Sequence, residues 1–247
     1  MGQILSKFCI SFVIAILSFL SIYDLSTDYE YSIFKIDGVE QTNPDDFTYS
    51  EMIEKMAKDF KTAKSINDDV TAFIDVPNVC YNPVVFTGDQ FYLRKGIDKK
   101  YALRGMLFFG AYTDGNLHDS SIIYGHHMND GTMFATLKLY ENQEFFRANE
   151  PIKAFDGKYF YVYKPYTAMI VTDGNEKAHY GGRKGEERKE YYKSLYERSM
   201  VKMEDGLEPN YDADMLFLQT CEYVYNNSRL LVGAYCVKKI PYNKGVK

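Results

Sequence analysis

Residues 215–232 read M-L-F-L-Q-T-C-E-Y-V-Y-N-N-S-R-L-L-V, which is two apolar runs around a polar, turn-forming segment. The length and composition of both runs are typical of β-strands. Cys221 closes the first run and Arg229 opens the second, so we expect a thiol and a guanidinium at one end of a sheet. A nearby fixed cation favours the thiolate, the form of cysteine that attacks carbonyl carbon. The stretch therefore predicts a nucleophilic site that lacks only a base.

A candidate base lies upstream, where the apolar run I-I-Y-G-H-H (residues 122–127) ends in two histidines. The end of a strand presents a side chain to a cleft while the strand itself stays rigid. Adjacent residues of a strand face opposite sides, so we expect either His126 or His127 to face the cleft. His118 and His179 lie in polar, turn-like segments and are assigned no role.

The other cysteines are weaker candidates for the nucleophile. Cys9 lies in an apolar N-terminal segment, and Cys80 lies in a turn without a charged neighbour. Cys236 lies seven positions after Arg229 in the predicted strand. An odd difference predicts that the two face opposite sides of the sheet. The four cysteines show no paired spacing, so the sequence predicts neither a disulfide framework nor a zinc site. Cys221 remains the best candidate.

The composition is that of an ordinary globular protein, with 46% hydrophobic and 26% charged residues in a chain of 247. The formal net charge of −5 argues against a nucleic-acid partner, because neutralising phosphates requires a basic surface. The sequence gathers no set of three or four metal-binding residues. We therefore expect no metal and no cofactor.

An uncharged apolar segment of sixteen residues, 8–23, follows Lys7 near the N-terminus. It is shorter than the roughly 20 residues of a spanning helix and longer than a signal-peptide core of about 7 to 15. Asp24 follows without a small-residue cleavage motif, which favours an uncleaved signal anchor over a cleaved signal peptide. Lys7 places the N-terminus in the cytoplasm. The start M-G-Q-I-L-S also fits the loose myristoylation pattern.

This predicts a single-pass protein of the cell membrane in three segments. Residues 1–23 form a cytoplasmic stub and a signal-anchor transmembrane helix, residues 24–46 form an extracellular stalk, and residues 47–247 form an extracellular catalytic domain.

Hydrophobic periodicity predicts a mostly β domain, a barrel or twisted sheet, with helices at its edges. A capping box at Thr48 and Glu51 predicts a helix from Tyr49 to about Lys64. Strands are predicted at residues 70–76, 82–86, 91–94, 104–112, 121–125, 152–155, 158–172 with a break at Pro165, 215–220 and 229–239. Further helices are predicted at residues 133–140 and 186–201.

Three motifs together resemble the class B sortases of Gram-positive bacteria. They are Y-G-H-H-M-N-D-G-T-M-F (residues 124–134), L-Q-T-C (residues 218–221), and an arginine eight residues after the cysteine. Upstream, N-P-V-V, F-Y-L and G-M-L-F are similar to the family's early strands, and the helix at 186–201 is similar to its class B feature. The resemblance covers roughly residues 46–239. It implies an eight-stranded sortase-type β-barrel with peripheral helices, preceded by one transmembrane helix.

The resemblance also implies a membrane-anchored cysteine transpeptidase. Cys221 would be the nucleophile, His126 the general acid and base, and Arg229 the cation that stabilises the oxyanion and positions the peptide. The implied substrate is the C-terminal sorting signal of a secreted surface protein, cleaved after threonine through a thioacyl intermediate. The implied acceptor is a peptidoglycan-precursor amino group.

The sequence departs from the family pattern beside the cysteine. Gln219 stands where the family usually has a small hydroxyl residue, and Phe217 stands where threonine is common. Gln219 shares its strand face with Cys221, so we expect an altered choice of sorting peptide and unaltered chemistry. Thr220 and Tyr223 are the other substrate-binding candidates.

Two alternatives to a transpeptidase remain open. One is an extracellular cysteine protease that uses water as the acceptor, with Asn226 or Asn227 orienting the imidazole. The other is an inactive surface adhesin or binding relative in which Cys221 is buried.

Overall fold

The computed structural model describes residues 49–128, 130–149, 151–172, 185–204, 207–221 and 228–242. The predicted membrane helix and stalk lie outside these ranges. Across the described ranges, the helices are too short or too polar to span a bilayer.

The described chain forms a mostly β domain with a few helices. The α-helices are α1 (Tyr49–Ile66), α2 (Gln143–Ala148) and α3 (Gly185–Glu197). Two 3₁₀ helices span Phe91–Arg94 and Ala135–Glu141. The strands are β1 (Val70–Val76), β2 (Cys80–Val85), β3 (Leu107–Phe109), β4 (Ser120–Gly125), β5 (Ile152–Phe155), β6 (Tyr159–Thr172), β7 (Met215–Cys221) and β8 (Ser228–Pro241).

The strands form a closed barrel in the order β1-β2-β3-β4-β7-β8-β6-β5, and β1 also pairs with β5. β2 pairs with β3 and β4 pairs with β7 in parallel, and the other pairs are antiparallel. The predicted eight-stranded barrel with peripheral helices is therefore confirmed. Among the described residues, two clusters of buried side chains form its hydrophobic core.

The strand that carries Cys221 is fully buried along its apolar run. Met215, Leu216, Phe217 and Leu218 are all 0% exposed. A strand that has a parallel neighbour on one side and is covered on both faces reads as an unbroken apolar run. This burial explains the unbroken apolar run from which β7 was predicted.

Helix α1 packs its apolar stripe on the barrel, with Met52, Met56 and Ala63 buried. Its end is fixed by the buried side chain of Asn67, which donates to the Tyr92 hydroxyl at 2.5 Å and to the carbonyl of Ile97 at 3.0 Å. The helix is thereby joined to the β2–β3 connection.

Two strand predictions fail in the β2–β3 connection. Residues 91–94 form a 3₁₀ helix, because the Asp89 carboxylate accepts the backbone N–H of Phe91 and turns the chain. Residues 104–112 contribute only Leu107–Phe109 as a strand. Gly105 precedes it at φ +60°, outside the extended conformation of a strand.

Other predictions need smaller corrections. β6 is not broken at Pro165, since the pairing with β8 continues through a register shift between Pro165 and Thr167. Such a bulge accommodates a residue that has no N–H to donate. Cys80 begins β2 instead of lying in a turn. The predicted helix at 133–140 is a 3₁₀ helix, and α2 follows it, capped by the Asn142 side chain.

Candidate active site

The candidate site is a row of three positions at one edge of the barrel. β4 and β7 run in parallel with Gly125 opposite Thr220, so the next positions are His126 and Cys221. β7 and β8 are antiparallel, and Cys221 is paired with Arg229. Neighbouring strands lie about 4.8 Å apart. The fold therefore brings together the backbone positions of the predicted base, nucleophile and cation.

The backbone of His126 is held by the motif that follows it. Its carbonyl accepts the N–H of Phe134 at 2.9 Å, and His127 forms an isolated bridge with Met133. A Cβ on Gly125 would lie 2.6 Å from the Phe134 ring and 2.6 Å from the Leu107 side chain. Only glycine therefore lets these two side chains pack so close to the backbone at position 125. The Y-G-H-H motif thus fixes the backbone position from which the His126 side chain extends.

The ring of His126 is oriented by a backbone carbonyl. Its Nε2 lies 2.7 Å from the carbonyl oxygen of Leu93 in the first 3₁₀ helix. Because a carbonyl oxygen only accepts, Nε2 must carry the hydrogen, and Nδ1 is the basic nitrogen of the neutral ring. Burial lowers the pKa of His126, and the positive charge of Arg94 lowers it further. The hydrogen bond to Leu93 raises the pKa and offsets only part of this lowering. The neutral ring is the form that can accept a thiol proton near pH 7.

The backbone of Gly105 passes close to the Leu93 carbonyl and leaves it the space it occupies. A Cβ on Gly105 would lie 2.6 Å from the carbonyl oxygens of both Tyr92 and Leu93. The Tyr92 hydroxyl is tied to the end of α1, donating to Asp69 at 2.7 Å and accepting from Asn67 at 2.5 Å. The imidazole is therefore positioned by a network that reaches to helix α1.

Replacing Gly105 with alanine tests this positioning. We expect kcat to fall about tenfold, because the added Cβ displaces the Leu93 carbonyl and because alanine at positive φ costs roughly 1–2 kcal/mol. The Leu93 hydrogen bond raises the pKa of His126, so its loss should move the acidic limb of the pH–rate profile to lower pH. Rate measurements across pH give both quantities.

Gly96→Ala is the control for Gly105→Ala, since its Cβ would meet nothing closer than 3.3 Å. A Gly105→Ala profile that keeps the parental acidic limb while kcat falls would show a purely structural role for Gly105.

The two residues before Cys221 are buried polar residues on β7. Gln219 is 4% exposed and Thr220 is 2% exposed. Within the described part of the chain, Gln219 Oε1 and Thr220 Oγ1 have no hydrogen-bond partner. Buried polar atoms are normally satisfied, because an unmade hydrogen bond is costly. Gln219 shares its strand face with position 221, so it stays a candidate to shape the peptide site. Tyr223, Asn226 and Asn227 lie outside the described residues.

Arg229 is partly buried, and its Nη1 donates to the carbonyl of Ser228 at 3.0 Å. The register of β8 against β7 is unbroken from Arg229 to Tyr235. An odd separation along this regular strand places Cys236 on the face opposite Arg229.

Among the described residues, the two cysteines away from this row are in surroundings that favour the thiol. Burial raises the pKa of Cys80, which is 2% exposed at the start of β2. Burial also raises the pKa of the partly buried Cys236. Neither environment favours a thiolate.

Sequence reasoning did not find the roles of Leu93 and Gly105. The Leu93 group is a backbone carbonyl, which every residue carries, so no side-chain pattern indicates it. A glycine just before a short apolar strand was the available signal for Gly105.

Comparison with known proteins agrees with this architecture. No protein-family model matches the chain. Sortase B of Staphylococcus aureus is 24% identical over 191 residues, which cover 75% of this chain and 77% of that protein. The X-ray structure of Clostridium perfringens sortase B superposes with a TM-score of 0.66 at 28% identity, covering 72% of this chain and 99% of that one. A Staphylococcus aureus sortase B–substrate complex gives a TM-score of 0.66 at 22% identity, covering 76% of this chain and 89% of that one.

The barrel and these relatives define the chain as a sortase-type cysteine transpeptidase. Within that class, it is a homologue of sortase B, as the sequence motifs predicted. The Clostridium perfringens chain is matched over 99% of its length by 72% of this one. The X-ray structure of that relative therefore consists of a chain of about the barrel's extent.

Proposed function

We propose that this chain joins secreted surface proteins to the cell wall through a thioacyl intermediate on Cys221. The observation that carries the proposal is the row of positions 126, 221 and 229 at one edge of the barrel. A base, a nucleophile and a cation at neighbouring strand ends supply the groups that acyl transfer requires.

The first half-reaction acylates the enzyme. Nδ1 of His126 accepts the thiol proton, and the Cys221 thiolate attacks the carbonyl carbon of a threonine in the sorting signal. Arg229 stabilises the oxyanion of the tetrahedral intermediate. The amide C–N bond then breaks, the imidazolium gives its proton to the leaving amine, and the acyl group stays on sulfur.

The second half-reaction transfers the acyl group. The amino group of a peptidoglycan precursor attacks the thioester carbonyl, and His126 accepts a proton from that amine. The C–S bond breaks, Cys221 leaves as the thiolate, and a new amide bond forms. Water in place of the amine would give hydrolysis.

The competition between amine and water tests this proposal. Residues 47–247 are incubated with a panel of labelled sorting peptides, with and without a wall-type amine. We expect the amine to produce a peptide–amine conjugate at the expense of hydrolysis. Hydrolysis that the amine leaves unchanged, with no conjugate formed, would identify a protease instead.

We also propose that Gln219 determines which sorting peptide is accepted. This rests on its burial beside the nucleophile position and on its unsatisfied Oε1 within the described residues. We expect Gln219→Ser to change the ratio of kcat/KM between preferred and rejected peptides by about tenfold. The internal control is amine attack on the preformed thioacyl enzyme, which should keep its rate. If the parent and Gln219→Ser ranked the peptides of the panel identically by kcat/KM, Gln219 would have no role in peptide selection.

We further propose that residues 1–23 anchor the protein in the cell membrane, with residues 24–46 as the stalk and residues 47–247 outside the cell. The support is the uncharged run that follows Lys7. Deleting residues 1–23 is expected to release the protein from alkaline-washed membranes into the soluble fraction. Retention of the shortened chain in those membranes would contradict this assignment.

A further inference from the structure

The connection between β2 and β3 carries an exposed surface that extends beyond its contact with His126. We define the basic hairpin as residues 91–104, which run from the first 3₁₀ helix through a turn and back toward β3. It is an ordered unit: Lys95 and Tyr101 form an isolated bridge, and the N–H of Ala102 donates to the carbonyl of Arg94 at 3.1 Å.

The charge of the basic hairpin is opposite to that of the whole chain. It has five basic side chains against the single acidic side chain of Asp98, a net charge of +4, whereas the chain carries −5. Lys99 is paired with Asp69 and Lys100 with Asp98. In the described residues, Lys95 and the two arginines of the hairpin have no carboxylate within salt-bridge distance. The positive charge is thus only partly neutralised.

Large apolar side chains stand exposed among these charges. Tyr101 is 73% exposed, Leu103 is 58% exposed and Phe91 is 43% exposed. Exposed aromatic and aliphatic side chains next to lysine and arginine are the composition of surfaces that enter the headgroup region of a bilayer. Basic residues add attraction to anionic headgroups, and exposed apolar side chains bury their surface at the acyl boundary.

The hairpin lies at the same edge of the barrel as the candidate site, because the Leu93 carbonyl within it contacts Nε2 of His126 at 2.7 Å. It is also tied to the C-terminal end of α1 through Asn67. The N-terminal segment enters the domain at Tyr49, on the other end of this 18-residue helix, which is about 27 Å long. The hairpin is therefore a second point on the domain, remote from the point where the chain enters.

We propose that the basic hairpin docks on an anionic phospholipid surface and holds the edge that carries His126 against the membrane. The use of this contact in catalysis rests on the proposed function, whereas the binding itself does not. Leu93 and Arg94 are excluded from the docking test, since the first contacts His126 and the second acts on it electrostatically.

Vesicle co-sedimentation of residues 47–247 tests the proposal. The vesicles contain either phosphatidylcholine alone or phosphatidylcholine with about one third phosphatidylglycerol. We expect binding to the anionic vesicles that weakens with added salt. Lys95→Gln with Lys100→Gln should lower the partition coefficient roughly 25-fold, about fivefold per charge. Tyr101→Ser with Leu103→Ser should lower it about tenfold.

Lys58→Gln with Lys61→Gln is the matched control, because it removes two exposed lysines from α1. This control pair should bind nearly as the parent does. The proposal would be overturned if neutral and anionic vesicles bound the domain equally, or if the control pair lost as much binding as the hairpin variant. It would also be overturned if inorganic phosphate displaced the domain while Tyr101→Ser with Leu103→Ser had no effect.

Turnover of a soluble sorting peptide without vesicles keeps this result separate from the proposed function. Turnover should be unchanged in both hairpin variants, which also shows that they are folded. Vesicle binding in a domain that turns over no sorting peptide would retain the docking surface and reject the transpeptidase.

Discussion

Cys221→Ala is expected to abolish both transfer and hydrolysis of a sorting peptide, with a fall in kcat of at least about 10³-fold. In the proposed mechanism the acyl chain is bonded to this sulfur in both half-reactions, and alanine has no nucleophilic atom to replace it. Intact-mass spectrometry should detect the thioacyl adduct on the parent enzyme and none on the variant. Quantitative turnover assays provide the rate comparison.

Cys236→Ala is the matched control for Cys221→Ala, since Cys236 lies on the other face of β8 and burial raises its pKa. We expect the control to keep nearly full activity. A methanethiosulfonate reagent should label the parent at Cys221. A Cys221→Ala enzyme that still forms conjugate would place the nucleophile elsewhere, and a Cys221 that resists labelling would favour the inactive adhesin.

Arg229→Lys is expected to lower kcat by about 10²–10³-fold while KM changes less, as is typical when one oxyanion donor is lost. Arginine presents a planar fork of donors, and lysine presents one compact ammonium on a flexible stem. In this fold one guanidinium nitrogen already donates to the Ser228 carbonyl. A guanidinium carries five N–H donors in one plane, so it can bind more than one acceptor in a fixed geometry that lysine does not reproduce. Steady-state kinetics with and without amine measures the effect.

Arg198→Lys provides the comparison for Arg229→Lys. Arg198 is exposed after α3, and its Nε donates to the Ser194 carbonyl. This variant should match the parent within about twofold. If Arg229→Lys kept the parental kcat, Arg229 would have no role in the reaction and would be only a structural residue of β8.

The parts of the fold that sequence predicts are those whose burial gives a strict pattern. β7 is an unbroken apolar run because it is covered on both faces, and α1 shows a capping box and an apolar stripe. The 3₁₀ helix at Phe91–Arg94 was mistaken for a strand, because its apolar residues mimic a short strand and a single aspartate decides the turn. Local composition does not separate these two outcomes.

The candidate site also has parts that sequence patterns predict and parts that they do not. The side chains with distinctive chemistry, Cys221, His126 and Arg229, could be named from motifs and strand ends. Their alignment in one row depends on the parallel register of Gly125 with Thr220, a pairing between distant segments. Local patterns do not specify such a register. The Leu93 carbonyl is invisible to sequence reasoning for a different reason, since it belongs to the backbone.

The parallel pairing of β4 with β7 also bears on how the protein becomes active. The base and the nucleophile lie on segments far apart in the chain, and they meet only when this non-local pairing forms. Non-local pairings form late, because their loop-closure entropy must be paid first. While the chain folds, the proposed nucleophile therefore lacks its proposed base until this pairing forms. On the proposed mechanism, closure of the barrel would thus be the step that makes the cysteine reactive, and a partly folded chain would not yet acylate other proteins.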